Sequence, residues 1–214
     1  MSVYAGPSIP TNGLVMHWDV SDRQSYPGTG TVLYDLSGNG NNGTLVNTVT
    51  FDGNTAGGIL ETNGVDSQIT GGPNLQTVNH TIITGSRRKP GSGYNGRVVS
   101  SSGGNWLLGH HGGSGNKYYA EGWVVNGSAD GTLWTIYAGI GNYSSDIWAL
   151  YNNGVLIGSN NGGAYGPTSF CVGAWSSTYE RSQAQLSFLM AYNRVLSEEE
   201  VIKVYVAMRG RFGI

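Results

Sequence analysis

The sequence predicts an all-β fold of antiparallel strands, and three observations support that prediction. Tight-turn pairs recur along the whole chain, the segments between them alternate apolar and polar residues, and aromatic residues occur throughout. Glycine supplies 36 of the 214 residues, while charged residues make up only 11%. Disordered chains are poor in aromatic residues, whereas this chain has 13 Tyr and 6 Trp. The glycines are therefore expected to serve turns in an ordered domain.

The turn signal comes from Asn-Gly and Asp-Gly pairs. The pairs begin at Asn12, Asn39, Asn42, Asp52, Asn63, Asn95, Asn126, Asp130, Asn153 and Asn161. Asn, Asp and Gly tolerate the positive φ that primed two-residue hairpin turns require. The pairs therefore predict hairpins between antiparallel strands, folded as a sandwich or a barrel.

The alternation between the turns predicts which side chains share a face. Successive side chains of a strand point to opposite faces of its sheet. We therefore expect Leu14, Met16 and Trp18 to share one face, and the even-numbered residues of 184–192 to do the same. No Gly- or Pro-rich linker separates two cores, so the chain is interpreted as one domain over 13–214, preceded by an extended N-terminal segment, 1–12.

One segment near the C-terminus predicts a short helix, near 197–209. Ser197 is a favourable N-cap, and Glu200 lies three residues later, in the capping-box position. Gly210 is a candidate for the residue that ends the helix. The apolar residues at helical spacing are Val201, Val204, Tyr205 and Met208. The apolar face should pack on the β-sandwich.

Charge and hydropathy argue against two classes of partner. The balance of 11 basic and 13 acidic residues leaves no electrostatic footprint for nucleic acid. No stretch approaches the ~20 apolar residues of a membrane span, so no membrane insertion is expected. The segment Met1–Pro10 lacks the features of a signal peptide, so export by the general secretory route is not expected. The single cysteine, Cys171, is predicted to be a small buried residue.

Three stretches together resemble a known family. They are Tyr34–Thr44, the hairpin Trp148–Ile157, and Ala191–Val201. Their order and spacing resemble the laminin G-like, concanavalin A-like jelly-roll domains. The closing residues Arg209–Ile214 are similar to the tail of free-standing versions found in phage virions. The resemblance implies a jelly-roll sandwich of two antiparallel sheets, with functional loops at one edge or on a concave face.

The acidic residues and the serines do not form the patterns of a hydrolase. Glycoside hydrolysis needs two carboxylates on either side of the scissile bond. Glu61, Glu121 and Glu180 each stand without another acid two residues away. No Gly-x-Ser-x-Gly nucleophile elbow occurs in a strand–turn–helix context. We therefore expect that the protein is not an enzyme.

Aromatic residues in Gly-rich polar segments predict a saccharide-binding site. Sugars combine apolar C–H faces, which pack on aromatic rings, with hydroxyl groups that need hydrogen-bond partners. The candidate contact residues are Trp106, His110, His111, Tyr118, Tyr119, Trp175 and Tyr179. The alternative is that several of these residues belong to the core, since Tyr and Trp are ordinary sheet residues. A zinc site at His110–His111 is disfavoured, because adjacent strand residues point to opposite faces.

One loop imitates the first half of a calcium-binding loop. Asp35, Ser37 and Asn39 occupy alternate positions, and Gly40 follows them. The bidentate Glu of such loops is missing, because its position is Val46. No cofactor is expected from the sequence, apart from a calcium ion that Asp35 and Asn39 could hold. The alternative is a polar turn stabilised by its own side chains.

These features lead to three functional hypotheses. The first is a phage virion structural protein, a head-decoration or fibre-type surface subunit with a lectin-like domain that binds host-surface glycans. Its partners would be other virion proteins and further copies of itself, and its location would be the virion surface. The second is a non-viral, extracellular carbohydrate-binding module or lectin. The third is a glycoside hydrolase or lyase of the same fold.

Overall fold

Two antiparallel β-sheets of eight strands each, A and B, face one another in the computed structural model, which describes residues 8–176 and 179–214. The predicted all-β sandwich with one short C-terminal helix is confirmed. No helix in the described ranges has both the length and the apolar character needed to cross a membrane.

The strands follow the chain in an order that crosses between the sheets. Sheet A contains β1 (Leu14–Asp19), β4 (Thr50–Asp52), β5 (Ile59–Glu61), β7 (His80–Arg88), β12 (Thr135–Asn142), β13 (Ile147–Asn152), β14 (Val155–Asn160) and β16 (Ala184–Tyr192). Sheet B contains β2 (Val32–Leu33), β3 (Gly43–Val46), β6 (Gln68–Gly71), β8 (Val99–Ser101), β9 (Trp106–His111), β10 (Ser114–Ala120), β11 (Trp123–Asp130) and β15 (Phe170–Val172). The spatial order is β14-β13-β12-β7-β16-β5-β4 in sheet A, where β1 also pairs with β16, and β11-β10-β9-β8-β15-β6-β3-β2 in sheet B.

The main core lies between the sheets and is rich in aromatic rings. Trp106 lies edge-on to Tyr118 and Phe170, with ring centroids 5.9 Å and 6.1 Å away. Trp18 also lies edge-on to Phe170, with ring centroids 6.3 Å apart. All four side chains are fully buried. Each contributes roughly 2–3 kcal/mol through removal of apolar surface from water.

A second cluster forms where the helix α1 (Glu198–Met208) covers the outer face of sheet A. Val201, Val204 and Met208 are buried against that face, as their spacing predicts. The capping box is present, because the Ser197 side chain accepts from the Glu200 N–H and Glu200 accepts from the Ser197 N–H. Gly210 does not end the helix in a left-handed conformation, since the chain continues into a 3₁₀ turn over Arg209–Arg211.

Two β-bulges change the faces that simple alternation predicts. In β16, Ala184 and Leu186 face the main core, but after the irregularity between Leu186 and Phe188 the later even-numbered residues lie under α1. A bulge adds one residue to one strand, so the side chains beyond it exchange faces. The same effect separates Leu14, which packs under α1, from Met16 and Trp18 in the main core.

The turn pairs play more varied roles than predicted. Asn153-Gly154 joins β13 to β14 with positive φ at both positions, 49° and 79°, as a primed hairpin turn requires. Asn126-Gly127 instead lies inside β11, beside a register irregularity. Asp130-Gly131 lies at the end of β11, and the next strand belongs to the other sheet. The pairs therefore indicated a β-rich chain, but they did not each mark a hairpin.

The N-terminal segment is described from residue 8 onward, so much of the predicted extended segment 1–12 lies outside the described residues. Ile9 packs against the cluster under α1. The Tyr192 hydroxyl donates to the Pro10 carbonyl oxygen at 3.1 Å. Cys171, by contrast, is fully buried in β15, as its sequence context predicts.

Candidate functional site

Aromatic and charged side chains gather on the outer face of sheet B, the face turned away from the main core. We call this group the outer-face cluster. Its members are Arg97, His111, Tyr119, Trp123, Trp175, Tyr179 and Glu180. Consecutive contacts join them, from Trp123 through His111 and Glu180 to Arg97, Trp175 and Tyr179. The cluster includes four of the predicted contact residues.

Three adjacent strands position one half of the outer-face cluster. His111 ends β9, Tyr119 lies near the end of β10, and Trp123 begins β11. Tyr119 and Trp123 are register partners, and their rings meet edge-to-face at 5.1 Å between centroids. The His111 ring lies 6.3 Å from the Trp123 ring. A two-residue turn with positive φ at Glu121 places Tyr119 and Trp123 on one face.

Arg97 and Glu180 form the charged centre of the outer-face cluster. The Arg97 side chain is only 5% exposed, and its Nε donates to Glu180 Oε2. Its Nη2 donates to Asn105 Oδ1 at 2.8 Å, and its guanidinium carbon lies 4.5 Å from the centroid of the Trp175 ring. Glu180 Oε1 lies 3.3 Å from His111 Nε2. Both oxygens of Glu180 thus have a protein partner.

Backbone contacts hold these two charged residues together. The Arg97 N–H donates to the Glu180 carbonyl at 2.9 Å, and the Gly96 N–H donates to the Arg181 carbonyl at 3.0 Å. A Cβ atom added at Gly96 would lie 1.8 Å from the Glu180 carbonyl oxygen. Only glycine permits so close an approach of the two segments. Glu180 itself has φ +46°, which is uncommon for a residue with a side chain.

A short turn places the other aromatic pair. The Trp175 N–H donates to the Tyr179 carbonyl at 2.7 Å, and the Tyr179 N–H donates back at 3.0 Å. Their rings lie 6.1 Å apart, and Trp175 Nε1 donates to the Gly104 carbonyl at 3.3 Å.

Burial and charge act against each other at the centre of the outer-face cluster. Burial lowers the pKa of the Arg97 guanidinium, and the hydrogen bond and charge of Glu180 oppose that change. Arginine stays protonated in proteins, so the pair is ionic. A second cation, Lys117, lies beside the outer-face cluster. Its Nζ atom is 5.8 Å from the centroid of the Trp123 ring and 2.6 Å from Asn126 Oδ1.

Exposure decides which members of the outer-face cluster can touch a ligand. Tyr179 is 64% exposed and Trp123 is 38% exposed, so both present ring surface to solvent. His111 and Glu180 lie between them and expose about a third of their side chains. The arrangement therefore offers two aromatic surfaces separated by groups that donate and accept hydrogen bonds. Such a surface can bind a ligand that has both apolar faces and hydroxyl groups.

Three predicted contact residues are not at this surface, which corrects the prediction for them. Trp106 and Tyr118 are 0% exposed and His110 is 2% exposed. The His110 ring meets Tyr137 edge-on at 5.1 Å, inside the sandwich. The reason is the two-residue period of a strand, which turns His110 and Tyr118 inward when His111 and Tyr119 point outward.

Sequence reasoning did not select Arg97 or Trp123 as contact residues. Trp123 begins β11 directly after a tight turn. Its pairing with Tyr119 across a two-residue turn was the signal that could have identified it. The pairing of Arg97 with Glu180 joins segments 83 positions apart, and no local pattern reports such a contact.

The predicted calcium loop is closed by protein donors instead. Asp35 Oδ1 accepts from the His17 and Ser37 N–H groups at 2.8 Å and 2.9 Å, and Oδ2 accepts from Ser37 Oγ and the Asn41 N–H. Asn39 Nδ2 donates to the Leu14 carbonyl and to Ser37 Oγ. Within the described ranges, no three His, Cys, Asp or Glu side chains are grouped to hold a metal ion. Asp35 and Asn39 therefore fit the self-stabilised turn rather than a calcium site.

No family model and no curated protein matches the sequence. Solved structures do match the fold. The Trypanosoma rangeli sialidase aligns with a TM-score of 0.68 at 16% identity, over 95% of this chain and 34% of that one. This chain therefore spans about a third of the length of the sialidase.

Two further structures match at similar levels. The binding domain of Paraclostridial Mosquitocidal Protein 1 gives a TM-score of 0.67 at 15% identity, over 91% of this chain and 52% of that one. Domain 4 of a GH43 extracellular arabinanase from Geobacillus stearothermophilus, in complex with arabinotriose, gives 0.62 at 15% identity, over 90% of this chain and 98% of that one. At these identities the likeness establishes the sandwich fold.

Proposed function

We propose that this chain is a carbohydrate-binding domain that holds a saccharide on the outer-face cluster. The observation that supports this most directly is the pair of exposed aromatic residues, Trp123 and Tyr179, with His111 and Glu180 between them. Aromatic rings pack on the C–H faces of sugars, while the polar groups bond to hydroxyls. The names of two structural neighbours, a toxin's binding domain and an arabinanase domain in complex with arabinotriose, fit the same class of function.

We further propose that the domain binds without catalysis. A glycosidase needs one carboxyl group as acid and a second as base or nucleophile. Near the outer-face cluster, Glu180 is tied to Arg97 and His111, and Glu121 Oε1 accepts the Asn105 N–H at 2.6 Å. Carboxylates used in this way position their neighbours. A binding role therefore agrees better with the geometry than hydrolysis does.

The test is a glycan array followed by titration of the best ligand, using the wild-type chain and two variants. Trp123→Ala and Tyr179→Ala should each weaken binding about tenfold or more, equivalent to roughly 1.4 kcal/mol. Tyr143→Ala is the matched control, because Tyr143 is 43% exposed and lies outside the cluster. If Trp123→Ala and Tyr179→Ala both bound with wild-type affinity and kept native stability, this site would be refuted.

The phage virion role stays a prediction from the sequence resemblance. A saccharide-binding face would serve a virion surface subunit as a receptor for host-surface glycans, and would equally serve an extracellular lectin. Proteomics and cryo-EM of purified particles would test the virion role, because they would place the subunit on the particle with its partners and further copies. Absence of the subunit from particles that incorporate the rest of their structural proteins would overturn it.

A further inference from the structure

A hollow of about 290 Å³ opens at one edge of the sandwich and shares no residue with the outer-face cluster. We call it the asparagine hollow. Its lining residues are Val15, Asn39, Asn41, Pro73, Asn74, Leu75, Val78 and Asn193. They come from β1, from the loops that precede β3 and β7, and from the turn after β16. No lining residue carries a charge.

The floor of the asparagine hollow is apolar. Val15 and Leu75 pack with the main core, and Leu75 is only 3% exposed. Val78, at the rim, is 37% exposed. The Leu75 N–H donates to the Pro167 carbonyl at 2.8 Å, which fixes this loop to the sandwich. A rigid apolar floor suits the C–H face of a small ligand.

Two of the rim asparagines present acceptors. Asn41 Nδ2 donates to the Val15 carbonyl at 2.7 Å, and Asn39 Nδ2 donates to the Leu14 carbonyl at 3.2 Å. Their amino groups are therefore used within the protein. The Oδ1 atoms of both residues have no hydrogen-bond partner in the described part of the chain, and they remain available to a ligand.

The other two rim asparagines present donors. Asn74 Oδ1 accepts from the Gln76 N–H at 3.0 Å, so its amino group is the part left without a partner among the described residues. The Asn193 side chain makes no hydrogen bond within the described ranges. Its backbone N–H, by contrast, donates to the Gly13 carbonyl at 2.9 Å. Asn193 can therefore donate and accept.

This combination selects a class of ligand. Amide acceptors and donors in one small rim satisfy hydroxyl groups, each of which both donates and accepts. The lack of charged lining residues gives no compensation for desolvating an anionic or cationic ligand. Ligand pockets begin at about 300 Å³, so this volume holds one or two rings of a short saccharide, whose remaining ring extends beyond the rim. We propose that the asparagine hollow binds a short neutral saccharide, independently of the outer-face cluster.

The experiment is an NMR titration of the full chain that follows the side-chain amide signals of Asn74 and Asn193. The probes are the neutral trisaccharides arabinotriose, xylotriose, cellotriose and mannotriose. Each is added up to about 10 mM, so that a dissociation constant in the millimolar range can be measured. Trigalacturonic acid is the charged comparison. Saturable shifts of both amide signals with at least one neutral probe, and weaker shifts with trigalacturonic acid, are expected. No saturable shift with any neutral probe, or equal shifts with the acid, would overturn the proposal.

Variants separate this site from the outer-face cluster. Asn74→Asp keeps the oxygen that accepts from Gln76 but removes the donor, and Val78→Trp fills the hollow from its exposed rim. Both should weaken the response of Asn193 at least tenfold. Asn161→Asp is the matched control at an exposed position. Trp123→Ala should leave the response of the Asn193 amide signal unchanged. If that response were lost in Trp123→Ala, the outer-face cluster alone would explain the saccharide binding, and the separate site would be refuted. The dispersion of the backbone amide spectrum verifies that each variant is folded.

Discussion

Arg97 and Glu180 form an ion pair across 83 positions of sequence, with the arginine almost fully removed from water. The guanidinium also donates to Asn105 Oδ1 and lies over the Trp175 ring. A buried charge is stable only when its partners are all present. The pair therefore determines where the turn that bears Trp175 sits on sheet B.

The first prediction concerns loss of this pair. Glu180→Ala leaves the Arg97 charge buried without its carboxylate and should lower the free energy of unfolding by about 2–4 kcal/mol, measured by urea denaturation. Glu199→Gln, at an exposed helix position, should change it by less than about 0.5 kcal/mol. The double variant Arg97→Met, Glu180→Leu should be more stable than Glu180→Ala, because it removes both charges. Equal instability of the two would contradict this account.

The second prediction concerns Gly96. An alanine there would place its Cβ 1.8 Å from the Glu180 carbonyl oxygen, so the two segments must separate. We expect Gly96→Ala to cost about 3 kcal/mol or more and to weaken saccharide binding with it. At Gly93, three residues earlier, an added Cβ meets nothing within 4 Å, so Gly93→Ala should be nearly neutral. Thermal unfolding of both variants distinguishes these outcomes.

The third prediction is acid sensitivity caused by buried histidines. Burial lowers the pKa of His80 to about 4 and that of His110 to about 3, from the ordinary value of 6.5. Both are thus neutral in the fold, while the unfolded chain takes up protons first as the pH falls. Their stabilisation is complete above pH 6.5 and is lost as the pH falls, down to about pH 4 for His80, where the loss is roughly 3 kcal/mol, and down to about pH 3 for His110. Urea denaturation across this pH range measures the slope.

A variant tests which residue causes this pH dependence of the free energy of unfolding. Neither ring nitrogen of His110 has a hydrogen-bond partner in the described chain, and the ring packs on Tyr137. His110→Phe should therefore keep the fold and reduce the loss of stability between pH 6.5 and pH 4. If the pH dependence of the free energy of unfolding were unchanged in His110→Phe, a residue other than His110 would be its cause. The hydrogen bond from Arg194 holds the pKa of Glu200 at about 2, so the stability that this carboxylate contributes is lost at lower pH, below its ordinary pKa of 4.5.

The fourth prediction concerns the start of α1. Ser197 accepts from the Glu200 N–H at 3.3 Å, and Glu200 returns a bond from the Ser197 N–H at 3.0 Å. Ser197→Ala should cost about 1 kcal/mol, whereas Ser197→Gly should cost only a few tenths. Chemical denaturation of both variants is the measurement. An alanine variant as stable as the wild type would show that packing of Val201 and Val204 maintains the helix without its cap.

The fold was predictable where local rules apply along the chain. The capping box, the helix and the β-rich character all follow from residues close together in sequence. The faces of β16 were not predictable beyond Leu186, because the bulge there depends on pairing with β7. Asn153-Gly154 formed its expected hairpin turn, while Asn126-Gly127 was absorbed into β11.

The candidate site was predictable in part for the same reason. Alternation places His111 and Tyr119 outside once His110 and Tyr118 are inside, but the sequence does not say which of each pair faces the core. That choice is made by the second sheet, where His110 meets Tyr137. The burial of Trp106 and Tyr118 against the rings of Phe170 and Trp148 likewise needs both sheets in place.

The sequence by itself determined an antiparallel β-protein with one capped helix and an abundance of aromatic and amide residues. Only the tertiary structure decided that Trp123, His111, Glu180, Arg97 and Tyr179 form one surface. The physical reason is the distance along the sequence over which each interaction acts. Turn preference, capping and alternation act between near neighbours, whereas a buried ion pair and a register of strands depend on segments that meet only after the sandwich closes.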